Sequence, residues 1–273
     1  MTVPPTFALE AAGPYAPDVP QAEAEGIWAG VRDAHGFVPN GRIPILTPPE
    51  NQKKVNKNTR PTWALTLQSG DVTGMCVNTV NCHKTCVGGS GKQSLAAPQS
   101  ARDARTYLLL HHPQAFLTLW HRDIAWMARN RNAVDGRPNT NSDVAWEKVF
   151  PSIFEDIALR GGRAYDYTKR IDRAGWMIPD LYRVSFSAQR HTRYSAVARL
   201  LGRGVSVTMI FPTTKFLPSW WGEFPVLDGD VTDDRWSDPV GHVVGLRWKN
   251  SLRGKHGHPL VSHLHPRELE LAA

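Results

Sequence analysis

Apolar and polar residues alternate along several short segments of this chain, and a period of two is typical of β-strands. Between these segments apolar residues recur every three or four positions, which predicts amphipathic helices. The predicted strands are rich in β-branched and aromatic residues and span 62–68, 137–143, 163–169, 182–189, 205–212 and 241–249. The predicted helices span 22–34, 101–112, 113–130, 144–161 and 192–204, and Pro151 predicts a break in the fourth.

Strands that alternate with helices predict a parallel sheet, because a helical crossover returns the chain to the same end of the sheet. Six such units would form either an open doubly wound sheet or a partial barrel. In both arrangements, ligands bind at the carboxyl ends of the strands. Polar residues end three of the predicted strands, and these are the candidate site residues: Asn141, Ser142, Asp143, Asp166, Thr168, Ser185 and Ser187.

The same pattern assigns residues 43–250 to one α/β domain. Residues 1–42 are rich in proline and alanine, and we expect a partly disordered N-terminal arm with one short helix. Residues 251–273 form a C-terminal tail with several histidines. Such a histidine-rich tract is able to bind metals, but at a chain end it is more often a solvated tail.

The composition restricts the expected localisation and binding partners of the chain. No apolar run reaches the roughly 18 residues of a membrane-spanning helix, so we expect no membrane partner. The N-terminus does not resemble a secretory signal, and the odd number of cysteines argues against a disulfide framework, which together predict a cytoplasmic protein. The net charge of +7 favours a polyanion such as nucleic acid, although an arginine-rich composition from a GC-rich genome would give the same excess.

All the cysteines lie in one loop that follows the first predicted strand: Cys76, Cys82 and Cys86. Three thiolates suit a [4Fe–4S] cluster, in which each binds one iron and the fourth iron keeps an open position. Structural zinc needs a fourth ligand, and the nearby His83 adjoins Cys82 too closely to reach the same metal easily. The third interpretation is that the loop binds no metal.

A second notable segment, DGDVTDDRWSDP at 228–239, holds five aspartates. Their spacing does not match a calcium-binding loop, which needs a glycine at its sixth position and a glutamate at its twelfth. We predict that these aspartates cap turns and pair with Arg235 or Arg247.

Five segments together resemble a family of actinobacterial phage proteins labelled gene product eighty-eight. They are the cysteine loop, ARDARTYLLL, RPNTNSDVAWE, RAYDYTKR and VLDGDVTDDRWSDPVGHVVGLRWKN. This family is similar to radical S-adenosylmethionine (SAM) enzymes. The resemblance therefore implies an α/β fold, a partial (βα)6 TIM-like barrel of the radical SAM type, in a protein of the host bacterial cytoplasm.

The resemblance also implies roles for particular residues. Cys76, Cys82 and Cys86 would bind three irons of a [4Fe–4S] cluster. SAM would chelate the open iron, and its reductive cleavage to a 5′-deoxyadenosyl radical would act on an unknown substrate, such as a nucleotide or nucleic acid. The residues that would surround SAM and the mouth of the barrel are Asn141, Ser142, Asp143, Asp166, Thr168, Ser185 and Ser187.

The sequence departs from the radical SAM pattern at two points. The cysteine spacing is C-x5-C-x3-C instead of the usual C-x3-C-x2-C, and no Gly-Gly-Glu follows the second strand. The alternative function is a non-catalytic nucleic-acid-binding protein with a structural metal site.

Overall fold

A computed structural model describes residues 4–38, 43–52, 55–69, 73–77, 86, 91–213 and 215–248. These residues form a mixed α/β fold. Its strands are β1 Thr62–Ala64, β2 Asp135–Arg137, β3 Ala164–Thr168, β4 Met177–Ile178, β5 Tyr182–Ser187, β6 Val207–Phe211, β7 Trp220–Trp221, β8 Phe224–Asp228 and β9 Val243–Arg247. Its helices are α1 Pro5–Ala12, α2 Gln21–Ala34, α3 Ala96–His111, α4 Pro113–Arg131, α5 Trp146–Val149, α6 Ser152–Leu159 and α7 Tyr194–Gly202.

The strands form one nine-stranded, mostly parallel sheet in the order β1-β2-β3-β5-β6-β9-β8-β7, with β4 paired to β5. Only β4 and β7 run antiparallel to their neighbours among the described strands. The six strands predicted from the sequence are β1, β2, β3, β5, β6 and β9, and they lie side by side in chain order. The predicted parallel α/β sheet is therefore confirmed. Within the described residues no strand pairing joins β1 to β7 or β8, so the sheet does not close into a barrel.

The structure differs from the sequence prediction in its short and edge elements. Strand β2 ends at Arg137, so the polar residues predicted to end this strand follow it in a turn instead. Strands β7 and β8 arise from a tryptophan- and proline-rich segment between the last two predicted strands, in which we predicted no strand. Every residue of β8 is half-buried, so this strand lacks the alternation that would have revealed it.

The helices agree more closely with the predicted pattern. The predicted helix 144–161 is broken around Pro151 into α5 and α6, as proline in a helix interior requires. The segment that we treated as an arm carries two helices, and both pack on the core through Leu9 and Trp28. No helix in the described ranges combines the length and the apolar character that crossing a bilayer requires.

The main core lies between the helices and one face of the sheet. Its centre is Trp120 of α4, which packs edge-on against Trp63 of β1 and Trp146 of α5, with ring centroids 6.0 Å and 4.7 Å away. Neighbouring β2 carries Gly136 at this point, because a Cβ atom there would lie 2.3 Å from the Trp63 ring. Glycine at 136 therefore allows the indole to lie flat against the strand.

Alternation along the strands separates this helix-packed face from the opposite face, which we call the inner face. On β3 and β5, Ala164 and Val184 belong to the hydrophobic core, whereas Tyr167 and Ser185 point to the other side and pair in register. One step further along, Ser187 of β5 pairs with Thr208 of β6. The inner face is therefore polar where the helix-packed face is apolar.

Candidate functional site

The first part of the cysteine loop lies against the chain that follows β2. Cys76 Sγ donates a hydrogen bond to the Asn141 backbone oxygen at 3.0 Å, and the Asp143 N–H donates to the Met75 oxygen at 2.8 Å. Met75 is fully buried and Cys76 is half-buried. The Cys76 thiol therefore lies at the carboxyl end of the sheet, the end at which parallel α/β proteins bind ligands.

The last cysteine of the loop lies near α3. Cys86 is half-buried, and Arg102 of α3 is buried beside it. Burial lowers the pKa of Arg102, and the charges of Asp103 and Cys86 offset part of this effect. Arg102 therefore brings a cation close to the last cysteine of the loop. Cys82 lies outside the described residues, and within them no three His, Cys, Asp or Glu side chains group around a metal-sized site.

A turn centred on Asn139 holds the residues that follow β2. Its Nδ2 donates to the Val144 oxygen at 2.9 Å, and its Oδ1 accepts from Ser142 Oγ at 2.8 Å. The Ser142 hydroxyl is therefore used inside the turn. By contrast, Asn141 Nδ2 is buried without a hydrogen-bond partner in the described part of the chain. Asn141 thus offers a donor at the position where Cys76 approaches.

Asp143 links the cysteine loop to the end of β3. Its Oδ2 accepts from Thr168 Oγ1 at 3.0 Å and from the Lys169 N–H at 2.8 Å, and its Oδ1 accepts from Arg173 at 3.1 Å. Burial raises the pKa of Asp143, and the Arg173 charge opposes this rise. Both carboxylate oxygens are occupied, so Asp143 and Thr168 hold two loops of the site together.

Asp166 is fully buried and shares the helix-packed side of β3 with Ala164. It accepts hydrogen bonds from the N–H of Asn139 at 2.6 Å, from Asn139 Nδ2 at 2.8 Å and from Tyr182 OH at 2.6 Å. Burial raises the pKa of Asp166 to about 6, against the opposing effects of Arg173 and these donors. Asp166 therefore supports the turn after β2 and does not reach the inner face.

The raised pKa predicts that the stability contributed by Asp166 falls as the pH rises from about 4 to about 6. Between the ordinary value of 3.8 and about 6, the folded chain holds a proton that the unfolded chain has lost. We expect the unfolding free energy of the wild type to fall by about 2–3 kcal/mol relative to Asp166→Asn over this interval. Denaturant titrations of both proteins across this pH range measure the difference, and a difference that is constant or rises with pH would contradict the prediction.

Arg173 connects all of these acidic groups, and sequence reasoning missed it. Its guanidinium donates to both oxygens of Glu147 at 2.8 Å, to Tyr182 OH at 2.6 Å and to Asp143, and it lies 3.9 Å from Asp166 Oδ2. Its side chain is 2% exposed. The sequence offers one signal for Arg173, its position in the first loop after β3. No neighbouring residue distinguishes it from other arginines in loops.

The inner face presents hydroxyl groups between β5 and β6. Lys169 Nζ donates to Ser187 Oγ at 3.0 Å just beyond the end of β3. Ser185 and Thr208 are 1% and 3% exposed, and within the described residues their hydroxyls have no hydrogen-bond partner. Ser206, immediately before β6, is also buried, and its hydroxyl likewise has no hydrogen-bond partner in the described residues. Of the candidate residues, Ser185 and Ser187 therefore lie on the face that is able to hold a ligand.

A buried aspartate covers the inner face of β2 and β3. Asp233, from the segment between β8 and β9, accepts from Arg137 at 2.5 Å, from Tyr165 OH at 2.9 Å and from Tyr167 OH at 3.1 Å. The segment also contacts the chain before β1, because the Asp233 N–H donates to Asn58 Oδ1 at 3.2 Å. Residues 230–236 thus form a floor beneath the inner face of β2 and β3.

The predicted role of the aspartate-rich segment is confirmed in part. Asp228 accepts from Arg247 through both oxygens at 2.7 Å, and Asp238 lies 3.1 Å from Arg235. Asp233 instead pairs with Arg137 of β2, far away in the sequence. Only the folded sheet brings these two residues together.

A second polar constellation lies outside the sheet, between α4 and α6. His121 lies 3.1 Å from Asp156 through Nδ1 and 3.1 Å from Ser152 Oγ through Nε2, which resembles a hydrolase triad. A hydrolase with such a triad also uses hydrogen-bond donors, often backbone N–H groups, to hold an oxyanion. Here the N–H groups of Ile153 and Phe154 already donate to the carbonyls of residues 150 and 151. We interpret these contacts as a link between the two helices.

The fold and the site together define a parallel α/β protein with a thiol-bearing loop and a polar inner face at the carboxyl end of its sheet. The family described as Gene product 88 matches residues 44–258, and the chain belongs to this family. Comparisons with curated proteins and with solved structures found no match.

Proposed function

We propose that this chain is a radical-SAM-like iron–sulfur protein that acts on a nucleotide or nucleic-acid substrate. In this proposal Cys76, Cys82 and Cys86 bind a [4Fe–4S] cluster whose open iron ligates SAM. The observation that carries the proposal is the position of the Cys76 thiol, 3.0 Å from the Asn141 oxygen at the end of the second parallel strand. Ligands of parallel α/β proteins bind at this end.

The donors that the structure describes fit such a cluster. Cysteine thiolates are the usual ligands of iron–sulfur clusters, and the buried cation of Arg102 lies beside Cys86. Cys76 and Cys86 are both half-buried, so each residue keeps part of its surface accessible. Once bound, the cluster would supply the electron that cleaves SAM and starts radical chemistry.

The chain itself would bind and orient the reactants. Asn141 Nδ2, buried without a partner in the described residues, would donate to SAM beside the cysteine loop. Asp143 would fix the relative position of the cysteine loop and the end of β3, because it bonds to both. Ser185 and Ser187 would bind polar groups on the inner face, and the floor at Asp233 would exclude water from below.

The strand order supports a partial (βα)6 barrel as the scaffold. The six main strands are parallel neighbours in chain order, whereas a doubly wound sheet reverses direction at a central switch point. The contact between Asn58, before β1, and Asp233, after β8, brings the chain near the first strand toward the opposite edge of the sheet. Both features are those of a curved sheet that wraps around a central site.

Metal content after anaerobic reconstitution with iron and sulfide tests the proposal. We expect about four irons and four labile sulfides per chain, and their loss in the Cys76→Ala, Cys82→Ala, Cys86→Ala triple variant. His83→Ala is the control, since this residue is not a ligand in our proposal and the variant should keep all of its iron. Zinc in place of iron, loss of metal in His83→Ala, or no metal at all would contradict the proposal.

The second candidate is a nucleic-acid-binding protein with a structural metal site. The net charge of +7 and the exposed Arg190 and Arg193 after β5 favour it. This function predicts DNA or RNA affinity that falls steeply with salt concentration and no response of the metal site to SAM. A filter-binding titration at several salt concentrations, run with and without SAM, separates the two functions.

A further inference from the structure

Lys169 is a half-buried cation at the mouth of the inner face, and its surroundings are those of an anion-binding group. Its Nζ donates to Ser187 Oγ at 3.0 Å, and within the described part of the chain it forms no ion pair. An ammonium group has three donors, so two remain for a ligand. The nearby carboxylate of Asp143 already accepts from Thr168, Arg173 and the backbone of Lys169.

The hydroxyl groups beside Lys169 indicate that something polar binds there. Buried polar atoms in native proteins almost always have a hydrogen-bond partner, and exceptions call for a water molecule or a ligand. Thr208 is the register partner of Ser187, and its Oγ1 is buried with no partner in the described residues. Ser185, two residues before Ser187 on the same face of β5, also has a buried Oγ with no partner in the described residues. One cation and three hydroxyls thus line one patch of the inner face.

The loops around this patch favour a phosphate-bearing ligand over a simple carboxylate. Arg190 and Arg193, between β5 and α7, and Lys215, after β6, are all exposed at the carboxyl end of the sheet. Cations arranged in this way attract a multiply charged anion. Phe216 is 84% exposed next to Lys215, and exposed aromatic rings stack on nucleobases. The loop lies close to the start of α7, since Tyr194 packs on Trp221 with ring centroids 4.9 Å apart.

We propose that Lys169, Ser187 and Thr208 form a subsite for a phosphate group, and that the ligand is a nucleotide whose base lies toward Phe216. Lys169 holds the phosphate as a point charge, and the hydroxyls of Ser187 and Thr208 donate to its oxygens. The inference deepens the proposed function and rests on it for the role of this nucleotide as the substrate. Binding of the nucleotide itself depends only on inner-face residues that the structure describes, and not on the iron–sulfur cluster.

Equilibrium binding of ATP, inorganic tripolyphosphate and adenosine to the full chain tests the subsite. We expect ATP to bind more tightly than tripolyphosphate, and adenosine to bind at least about tenfold more weakly than ATP. Lys169→Gln should weaken ATP and tripolyphosphate at least about tenfold, and Thr208→Val about threefold or more. Lys57→Gln is the matched control, because Lys57 also makes one hydrogen bond, to the Asp230 oxygen, but precedes β1 in the chain and is not part of the proposed subsite.

Each result decides the proposal. Loss of binding in Lys169→Gln and Thr208→Val, with unchanged unfolding transitions and unchanged binding in Lys57→Gln, supports it. Failure of both ATP and tripolyphosphate to bind, or equal effects of the two lysine variants, overturns it. Equal affinity for tripolyphosphate and ATP overturns the nucleotide part. The triple cysteine variant should bind ATP like the wild type, so failure of the iron–sulfur proposal remains distinguishable from failure of the subsite.

Discussion

Replacing Arg173 by methionine is expected to lower the free energy of unfolding by about 3–5 kcal/mol, the usual cost of leaving a buried charge uncompensated. Arg173 bonds to Glu147 and Asp143 and lies 3.9 Å from Asp166, and all three acidic side chains are less than a tenth exposed. Methionine matches the length of the side chain but leaves these carboxylates without their cation. They would then have to take up protons, which costs free energy at neutral pH.

Arg160→Met is the control for this prediction. Among the described residues Arg160 pairs only with Asp156, one helical turn away, and its side chain is 32% exposed. A pair of this kind is worth less than about 1 kcal/mol. Denaturant titrations at neutral pH should therefore show a loss of unfolding free energy that is several-fold larger for Arg173→Met than for Arg160→Met. Similar losses in both would show that the Arg173 network does not hold the loops of the site.

Replacing Asp233 by alanine is expected to cost a similar amount, about 3–5 kcal/mol, for the opposite reason. Here the residue left behind is a cation, since Arg137 is buried and its guanidinium bonds to Asp233 at 2.5 Å. The hydroxyls of Tyr165 and Tyr167 lose their acceptor at the same time. Because Asp233 forms the floor beneath β2 and β3, we also expect the variant to admit water at this part of the inner face.

Asp228→Ala is the matched control for the floor, because it removes an aspartate from the same segment. Asp228 pairs with Arg247 at the surface, where the two side chains are 37% and 25% exposed, and the expected cost is below about 1 kcal/mol. Denaturant titration gives the stability of both variants. If Asp233→Ala lowers the unfolding free energy as little as Asp228→Ala does, the floor does not depend on the ion pair between Asp233 and Arg137.

The sequence predicted the parallel sheet because buried parallel strands carry their signal locally, as β-branched runs separated by amphipathic helices. It failed on β7 and β8, because β7 is only two residues long and β8, half-buried along its whole length, lacks alternation. It also placed Asn141, Ser142 and Asp143 in a strand, although Asn139 and its hydrogen bonds turn the chain immediately after β2. A turn held by one side chain leaves little trace in a hydrophobic pattern.

The site was harder to predict than the fold, because side chains at strand ends alternate between two faces. Ser185 and Ser187 lie on the inner face, whereas Asp166 lies on the helix-packed face and Asp143 is occupied by its neighbours. Lys169 and Thr208 join the site only through the register of three strands. No local spacing links residues that far apart in the chain.

Electron paramagnetic resonance of the reduced, reconstituted protein with and without SAM tests the central claim most directly. The claim is that three cysteines hold a cluster whose fourth iron is open to SAM. We predict a [4Fe–4S] signal whose g values change when SAM is added and that is absent from the triple cysteine variant. A cluster signal unchanged by saturating SAM, or no cluster signal at all, would contradict the account.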